Sequence, residues 1–321
     1  MLKRLLPIGR TLAAVALVLS CSSASLAMEP SAKTGPTPSA VTTVGTMRVE
    51  AYGSGSPALI FIPGLACGSW VWDGAVRTYA KTHAVYVVTL AGFDGVPAAP
   101  GPALDNADAS LLEFITKRKL DRPFVIGHSM GGFLALRFGT EHSDLVRGIV
   151  SVDGTPVFPA LAQATPEQRL AAGSKFAATM SAMTAEGFAA AQRTTIPSMV
   201  SDPARAAQVA ALTAKSDPVA TGAYARDLLT ADLRPQLKLL SAPTLEIAPV
   251  PSKPAAFEGP QAASASKSER ADGYRDFYAS LLAGAPNLRV VPISDSLHFV
   301  MIDQPQALYE EISRFIAAVS A

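Results

Sequence analysis

One serine in the chain stands in a context that could make it a nucleophile. Ser129 lies in Gly127-His128-Ser129-Met130-Gly131, which fits the pattern G-x-S-x-G. A short apolar run precedes this segment and an apolar-periodic run follows it, which predicts a strand, a sharp turn and a helix. A turn this tight holds the serine at strained dihedrals and exposes its hydroxyl, because only Gly fits where the flanks pass close to neighbouring backbone. The alternative is a Gly-rich turn with a capping serine.

This order of strand, elbow and helix resembles the serine hydrolases of the α/β-hydrolase fold. The resemblance implies a mostly parallel central sheet flanked by helices, and the alternation of strand and helix patterns along the chain agrees with it. It also implies a catalytic triad in the chain order Ser, acid, His. Dehalogenases and epoxide hydrolases of the family need a carboxylate nucleophile, so the serine at the elbow argues against both activities.

A serine at neutral pH needs a base, and the chain contains four histidines. We expect His83 at the entry of a strand, opposite the active face, and His142 at the end of the helix after the elbow. His128 should point away from its neighbour Ser129, because side chains alternate along the chain. His298 follows the last predicted strand, and the family's chain order favours it as the general base. A buried structural imidazole is the alternative.

The acid that would orient this imidazole has three candidates. In most relatives it follows the strand predicted here over residues 242–248, but the next residues, Pro249 to Pro254, include no carboxylate. Some family members place it after the strand that follows the nucleophile's helix, where Asp153 stands. We therefore predict Asp153, with a simple Asp-Gly turn as its alternative. Glu258, in a long loop, is the second candidate, and Asp295, in the loop after the last strand, is the third.

The resemblance further implies two backbone donors for an oxyanion. After the buried strand that ends at Ile62, the family carries His-Gly-x with a tryptophan several residues later. Here the match is Pro63-Gly64-Leu65, followed by Trp70 and Trp72. The substitution of proline for histidine leaves the useful group in place, because that group is a backbone N–H. We predict the N–H groups of Leu65 and Met130 as the donors, with an ordinary turn at Pro63-Gly64 as the alternative.

Composition narrows the classes of partner. The 321 residues are 49% hydrophobic and 17% charged, enough for one α/β domain with an insertion and a large core. The 27 basic and 26 acidic residues nearly balance and form no extended basic run, so we expect no nucleic acid partner. Four scattered histidines and the absence of G-x-G-x-x-G or a P-loop predict neither a metal nor a cofactor.

The first residues predict an export signal. Lys3 and Arg4 precede a short apolar run, and Ser25-Leu26-Ala27 supplies small residues at a cleavage site. We predict a signal peptide over residues 1–27 and a periplasmic or secreted protein. Val18-Leu19-Ser20-Cys21 alternatively resembles a lipoprotein cleavage box, and lipidation of Cys21 is the one route by which we expect membrane attachment. Either route leaves Cys67 without an intrachain disulfide partner.

The remaining sequence divides into a tether, a core and an insertion. Residues 28–45 are rich in Pro, Ser, Thr, Gly and Ala, which predicts a flexible tether. Residues 46–156 and 226–321 carry the strand and helix patterns of the α/β-hydrolase core. The first strand, Thr46 to Tyr52, is expected at the sheet edge, closed by a hairpin turn at Gly53 to Pro57. Residues 157–225 show helical patterns and no strand candidate, which predicts a helical lid.

Together these features predict an exported serine hydrolase that acts on a small-molecule apolar ester. It would cleave carboxylic esters of small or apolar acyl groups through an acyl-enzyme intermediate. The alternatives are an aminopeptidase or amidase, an acyl transferase, and a non-catalytic protein that holds an apolar ligand under the lid.

Overall fold

The computed structural model describes residues 35–253 and 265–320. Within these ranges one sheet runs in the order β1-β2-β4-β3-β5-β6-β7-β8. Its strands are β1 (Ala40–Val44), β2 (Met47–Tyr52), β3 (Leu59–Ile62), β4 (Val85–Thr89), β5 (Phe124–His128), β6 (Gly148–Val152), β7 (Thr244–Val250) and β8 (Leu288–Ser294). The pairs β1–β2 and β2–β4 are antiparallel, and the other neighbouring pairs are parallel.

Helices cover both faces of this sheet. They are α1 (Asp73–Tyr79), α2 (Ala103–Lys117), α3 (Met130–Glu141), α4 (Pro166–Ser181), α5 (Ala185–Thr195), α6 (Pro203–Thr213), α7 (Pro218–Thr230), α8 (Lys267–Leu281), α9 (Val300–Asp303) and α10 (Pro305–Ser320). The predicted α/β architecture, a mostly parallel sheet flanked by helices, is therefore confirmed.

Alternation along the central strands divides the core into two layers. In β3, Leu59 and Phe61 join the apolar cluster that contains α1 and α10 residues, whereas Ile60 and Ile62 join the cluster that contains α2 and α3 residues. Successive side chains of a strand point to opposite faces, so a strand buried on both faces must be apolar at every position. The unbroken apolar run of β3 satisfies this requirement.

Three predictions for the start of the core are wrong. Residues 28–45 were expected to be a tether, but Ala40–Val44 forms β1, the edge strand, which pairs with β2. Because β2 also pairs with β4, it is not an edge strand, and residues 53–57 do not close a hairpin. Gly45 lies at φ 53° and permits the tight turn between β1 and β2. Most of β1 is exposed or half-buried, so its composition carries little hydrophobic signal.

The predicted helical lid corresponds to α4–α7, but its end lies further along the chain. Helix α7 ends at Thr230, beyond the predicted limit at residue 225. Proline stands at the first position of three of these helices, with a Thr or Asp N-cap before each: Pro166, Pro203 and Pro218. A bridge between Val157 and Asp232 joins the two ends of the insertion. The insertion therefore leaves and re-enters the core at one place.

Several predicted features lie outside the described residues. They are the signal peptide over residues 1–27, Cys21 with its possible lipidation, the first part of the tether, and Glu258. In the part of the chain that the structure describes, no helix has both the length and the apolar composition that a membrane span requires.

Candidate active site

Ser129 stands at the sharp turn between β5 and α3, as the sequence predicts. Its backbone lies at φ 55° and ψ −119°, a region that residues other than Gly rarely adopt. The turn is tight because backbone meets backbone on both sides of the serine. A Cβ on Gly127 would overlap the carbonyl of Gly131, and a Cβ on Gly131 would overlap the carbonyl of Ile62. Glycine at both positions is therefore a steric requirement of the elbow.

Asp153 and His298 meet at the same edge of the sheet. Asp153 directly follows β6, and His298 lies in the loop between β8 and α9. The Nδ1 atom of His298 lies 2.5 Å from the Oδ2 atom of Asp153. Because a carboxylate only accepts, Nδ1 carries the proton, which leaves Nε2 as the basic nitrogen of the neutral ring.

The second oxygen of Asp153 has its own donor. The hydroxyl of Tyr278, from α8, donates to Oδ1. Burial, followed by the negative charge of Asp153, raises the pKa of Tyr278 well above its usual range, so the hydroxyl keeps its proton. The backbone N–H of Asp153 also donates to the carbonyl of Ile247, at 3.0 Å. Both carboxylate oxygens and the main chain of Asp153 are therefore held in place.

His128 connects the elbow to the His298 loop. Its Nε2 lies 2.9 Å from the carbonyl oxygen of His298, and the two ring centroids are 4.7 Å apart. A carbonyl only accepts, so Nε2 of His128 carries a proton. Burial, followed by the proximity of His298, lowers the pKa of His128 well below its usual range, so the ring is neutral. The expectation that His128 points elsewhere misses this contact.

The elbow contacts the His298 loop through His128, the residue before Ser129. In residues 35–253 and 265–320, no hydrogen bond of standard geometry joins the hydroxyl of Ser129 to the imidazole of His298. Catalytic hydrogen bonds are often long without substrate and tighten in the Michaelis complex, so the arrangement is compatible with the predicted pair.

The chain after β3 passes beside the serine. A Cβ on Gly64 would lie 3.2 Å from the Cβ of Ser129. Leu65 follows immediately, and Met130 is the first residue of α3, whose N-terminal end carries unpaired N–H groups and a positive partial charge. The assignment of Leu65 and Met130 as oxyanion donors stays a prediction.

The other candidates lie elsewhere or have other partners. Asp295 pairs with Lys267, whose Nζ lies 2.5 Å from Oδ2 of Asp295, and Glu258 lies outside the described residues. Cys67 is buried, and burial raises the pKa of its thiol. Of the carboxylates that the structure describes, it is Asp153 that contacts the His298 ring.

The sequence did not predict a role for Glu246, a buried carboxyl group near Asp153. Glu246 lies in β7 beside Ser151 of β6 and is completely buried. In the described part of the chain, neither oxygen of its carboxyl group has a hydrogen-bond partner of standard geometry. Burial, with a further contribution from the charge of Asp153, raises the pKa of Glu246 well above its usual range. Burial therefore favours the protonated, uncharged form of the Glu246 carboxyl group. A lone glutamate within the apolar strand was the available signal.

One cluster elsewhere has the residue types of a metal site. Asp108, Glu141 and His142 bring one possible ligand atom each within 4.8 Å of one another, where α2 meets the end of α3. Burial, followed by the charge of Glu141, raises the pKa of Asp108 to about 7. Arg137 already donates to Glu141 at 3.0 Å, which supplies a cationic partner. The predicted absence of a metal stays a prediction.

A groove of about 510 Å³ opens next to the cluster of Asp108, Glu141 and His142, between α2, α3, α4 and α7. Its charged residues pair with each other, Arg137 with Asp105 at 2.7 Å and Arg226 with Asp227 at 3.0 Å. Its lining does not include Ser129. The groove is therefore separate from the predicted chemistry.

Comparison with known proteins identifies the family of the chain. A model of the alpha/beta hydrolase family matches residues 59–311, most of the chain. The chain belongs to the alpha/beta hydrolase family. The predicted resemblance is therefore confirmed, whereas the roles of Ser129, Asp153 and His298 stay predictions.

Relatives of this alpha/beta hydrolase include esterases. It is 33% identical over 115 residues to the pimeloyl-acyl-carrier protein methyl ester esterase of Nitrosomonas europaea, a match covering 36% of this chain and 44% of that protein. The chain thus spans less than half the length of that relative. It is 26% identical over 193 residues to the same-named esterase of Vibrio vulnificus, covering 60% of this chain and 74% of that protein.

Solved structures share the fold. An enol-lactonase from Burkholderia xenovorans matches with a TM-score of 0.66 and 18% identity, over 87% of this chain and 100% of that one. A thermophilic esterase from Thermogutta terrifontis matches with a TM-score of 0.69 and 18% identity, over 88% of this chain and 100% of that one. At this identity the likeness establishes the fold.

The buried acid Glu246 makes the stability of this hydrolase depend on pH. Above the ordinary pKa of 4.5, the unfolded chain ionises Glu246 while the folded chain keeps it protonated. The free energy of unfolding should therefore fall as the pH rises from there toward the raised pKa. Glu246→Gln removes this dependence, so its stability relative to wild type should grow by up to about 1.4 kcal/mol per pH unit. Urea unfolding between pH 4.5 and 8 measures the slope.

A suitable control is Glu113→Gln, which alters an exposed glutamate that pairs with Lys117. Equal pH slopes for Glu246→Gln and wild type would contradict the assignment of Glu246 as a neutral buried acid.

Proposed function

We propose that the protein is a serine hydrolase that cleaves carboxylic esters of small or apolar acyl groups. The observation that supports this most directly is the 2.5 Å contact between Asp153 and His298, next to a serine at a strained elbow. A hydrogen bond to Asp153 fixes the tautomer in which Nε2 of His298 can accept a proton. A serine needs such a base to become a nucleophile.

The proposed reaction proceeds in two halves. Nε2 of His298 takes the hydroxyl proton of Ser129 as Oγ attacks the carbonyl carbon, and the N–H groups of Leu65 and Met130 stabilise the oxyanion. The imidazolium then gives its proton to the leaving alcohol, which leaves an acyl-enzyme. Water, deprotonated by the same nitrogen, attacks the acyl carbon. The imidazolium then returns this proton to Oγ of Ser129 as the bond between Oγ and the acyl carbon breaks, which releases the acid and restores the enzyme. Asp153 stays ionised and stabilises the imidazolium in both halves.

The surroundings of the oxyanion loop favour an apolar acyl group. Ala66, next to Leu65, packs in an apolar cluster with Met180 of α4 and Phe188 of α5, and Met183 packs against the same cluster. Side chains from the helical insertion therefore cover this loop with apolar surface. The esterases among the relatives support ester over amide substrates.

We also propose that the protein is exported. The support is the sequence of residues 1–27, a basic start followed by an apolar run and small residues at a cleavage site. Cleavage before Cys21 with lipidation is the competing route.

The activity of Ser129 is tested with a panel of p-nitrophenyl esters beside amino-acid anilides. We expect turnover of short and apolar esters, and loss of about 10⁶-fold in kcat for Ser129→Ala because the triad acts as a unit. A fluorophosphonate should label the wild type at Ser129, mapped by peptide mass. Preferred cleavage of anilides would make the protein an amidase, and a wild type that resists the label would make it a binding protein.

The role of Asp153 is tested by Asp153→Asn, which keeps the shape of the side chain. An amide at this position favours the wrong tautomer of His298, so kcat should fall by about 10⁴-fold. Asp295→Asn is the matched control, because Asp295 lies in the His298 loop yet pairs with Lys267. If Glu258→Gln loses activity and Asp153→Asn does not, the acid is Glu258.

Export is tested by the mass of the N-terminal peptide from fractionated cells that express the full chain. Signal peptidase cleavage should give a periplasmic or secreted protein that begins at Met28. A lipidated peptide beginning at Cys21 would establish the membrane-anchored form instead, and an uncleaved cytoplasmic chain would exclude both.

A further inference from the structure

Hydrogen bonds to its backbone hold the loop that carries His298 in place. The N–H of Ser296 donates to the carbonyl of Val250 at 3.2 Å, and the carbonyl of His298 accepts from His128 at 2.9 Å. These two bonds attach the loop to the sheet and to the elbow. Leu297 and Phe299, the residues on either side of His298, form backbone hydrogen bonds to other partners, Asp303 and Met199.

Asp303, at the end of α9, bonds to the loop and to the helical insertion at once. Its Oδ2 accepts from the backbone N–H of Leu297 at 2.8 Å. Its Oδ1 accepts from both the backbone N–H and the hydroxyl of Ser201, at 3.0 Å and 2.8 Å. Ser201 lies in the insertion, between α5 and α6. One carboxylate thus bridges the residue before His298 and the insertion.

Two further polar contacts join the same two segments. The N–H of Phe299 donates to the carbonyl of Met199 at 3.2 Å, and Nη1 of Arg205 donates to the carbonyl of Ile302 at 2.7 Å. In each bond, one partner lies near Ser201 in the insertion and the other lies near His298. The insertion is therefore joined to the catalytic loop by hydrogen bonds as well as by apolar packing.

We infer that Asp303 is a positioning residue for His298 and that it acts by tying the His298 loop to the insertion. The inference rests on the proposed function of His298. Hydrogen bonds to an ionised carboxylate are shorter and stronger than neutral ones, and Asp303 accepts three of them. The bond to Leu297 fixes the peptide that leads into His298, so a change at the insertion is transmitted to the backbone of the base.

Asp303→Asn keeps the shape of the side chain but cannot accept the bonds from both Leu297 and Ser201. An amide has one acceptor oxygen, and its NH₂ group cannot accept. Placed between the N–H of Leu297 and the two donors of Ser201, it must leave one side without an acceptor and bring donor against donor. Ser201→Ala removes only the hydroxyl contact and keeps the backbone N–H bond, so its effect should be the smaller.

The first readout does not depend on activity. Hydrogen–deuterium exchange of a peptide that spans residues 293–303 reports the protection of the Leu297 amide, which lies well inside that peptide. Exchange there should be faster in Asp303→Asn than in wild type, and faster to a lesser degree in Ser201→Ala. Asp202→Asn is the control, because Asp202 is the neighbour of Ser201 and caps α6 by a bond to Arg205, a role that Asn also performs. Unchanged exchange in Asp303→Asn would overturn the inference.

The second readout is the split between kcat and KM on a p-nitrophenyl ester. A displaced base should lower kcat of Asp303→Asn by about 10- to 100-fold and leave KM within a few-fold of wild type. The rate of fluorophosphonate labelling at Ser129 should fall in parallel. Asp202→Asn should retain wild-type values. A fall in kcat equal in all three variants, or a folded Asp303→Asn with wild-type kcat, would contradict positioning through Asp303.

Failure of this inference differs from failure of the proposed function. If the wild type neither turns over esters nor accepts the label, the proposed function fails, and the exchange experiment still decides whether Asp303 ties the two segments. If Asp303→Asn does not fold, the exchange of Ser201→Ala is the deciding measurement. Wild-type protection of the 293–303 peptide in Ser201→Ala would then overturn the inference.

Discussion

The hydrogen bond between Asp153 and His298 is the interaction on which the candidate site depends. It joins the ends of β6 and β8, two strands separated by β7, so it can form only if the sheet keeps this order and register. A partly buried carboxylate loses hydration and is stable only when its oxygens are bonded. Tyr278 and His298 satisfy one oxygen each. Asp153 is thereby oriented by one contact from helix α8 and one from the loop that carries His298.

The elbow imposes a second constraint, on the backbone. The strained dihedrals of Ser129 are maintained because α3 starts directly against β3 and β5, with glycine at each point of closest approach. The N–H of Ser129 donates to the carbonyl of Val152 at 2.9 Å, which fastens the turn to the end of β6. The residue after Val152 is Asp153. Ser129 and Asp153, the predicted nucleophile and acid, are therefore positioned by the ends of two neighbouring strands, β5 and β6.

The helical insertion contacts the loops of the candidate site directly. Its apolar residues Met180 and Phe188 meet Ala66 beside the predicted oxyanion loop, and Ser201 and Met199 bond to the segment around His298. It therefore contacts two of the three loops that would carry out the reaction. Burial of Glu246 raises the pKa of its carboxyl group, which favours the uncharged form near Asp153. Both features favour one fixed arrangement of the imidazole.

The sequence by itself determined the elements and the residue types: a G-x-S-x-G turn between a buried strand and a helix, a histidine after the last strand, and an aspartate after β6. These signals are local, because strand burial, glycine spacing and position at a strand end can be read within a few residues. It did not predict β1, whose side chains are largely exposed, and it left Asp153, Glu258 and Asp295 as alternatives. Only the tertiary structure brought Asp153 to His298 and gave Asp295 to Lys267. Tyr278, Glu246 and Asp303 likewise owe their places to contacts between elements far apart in the chain, which no local pattern encodes because sheet order and helix packing decide them.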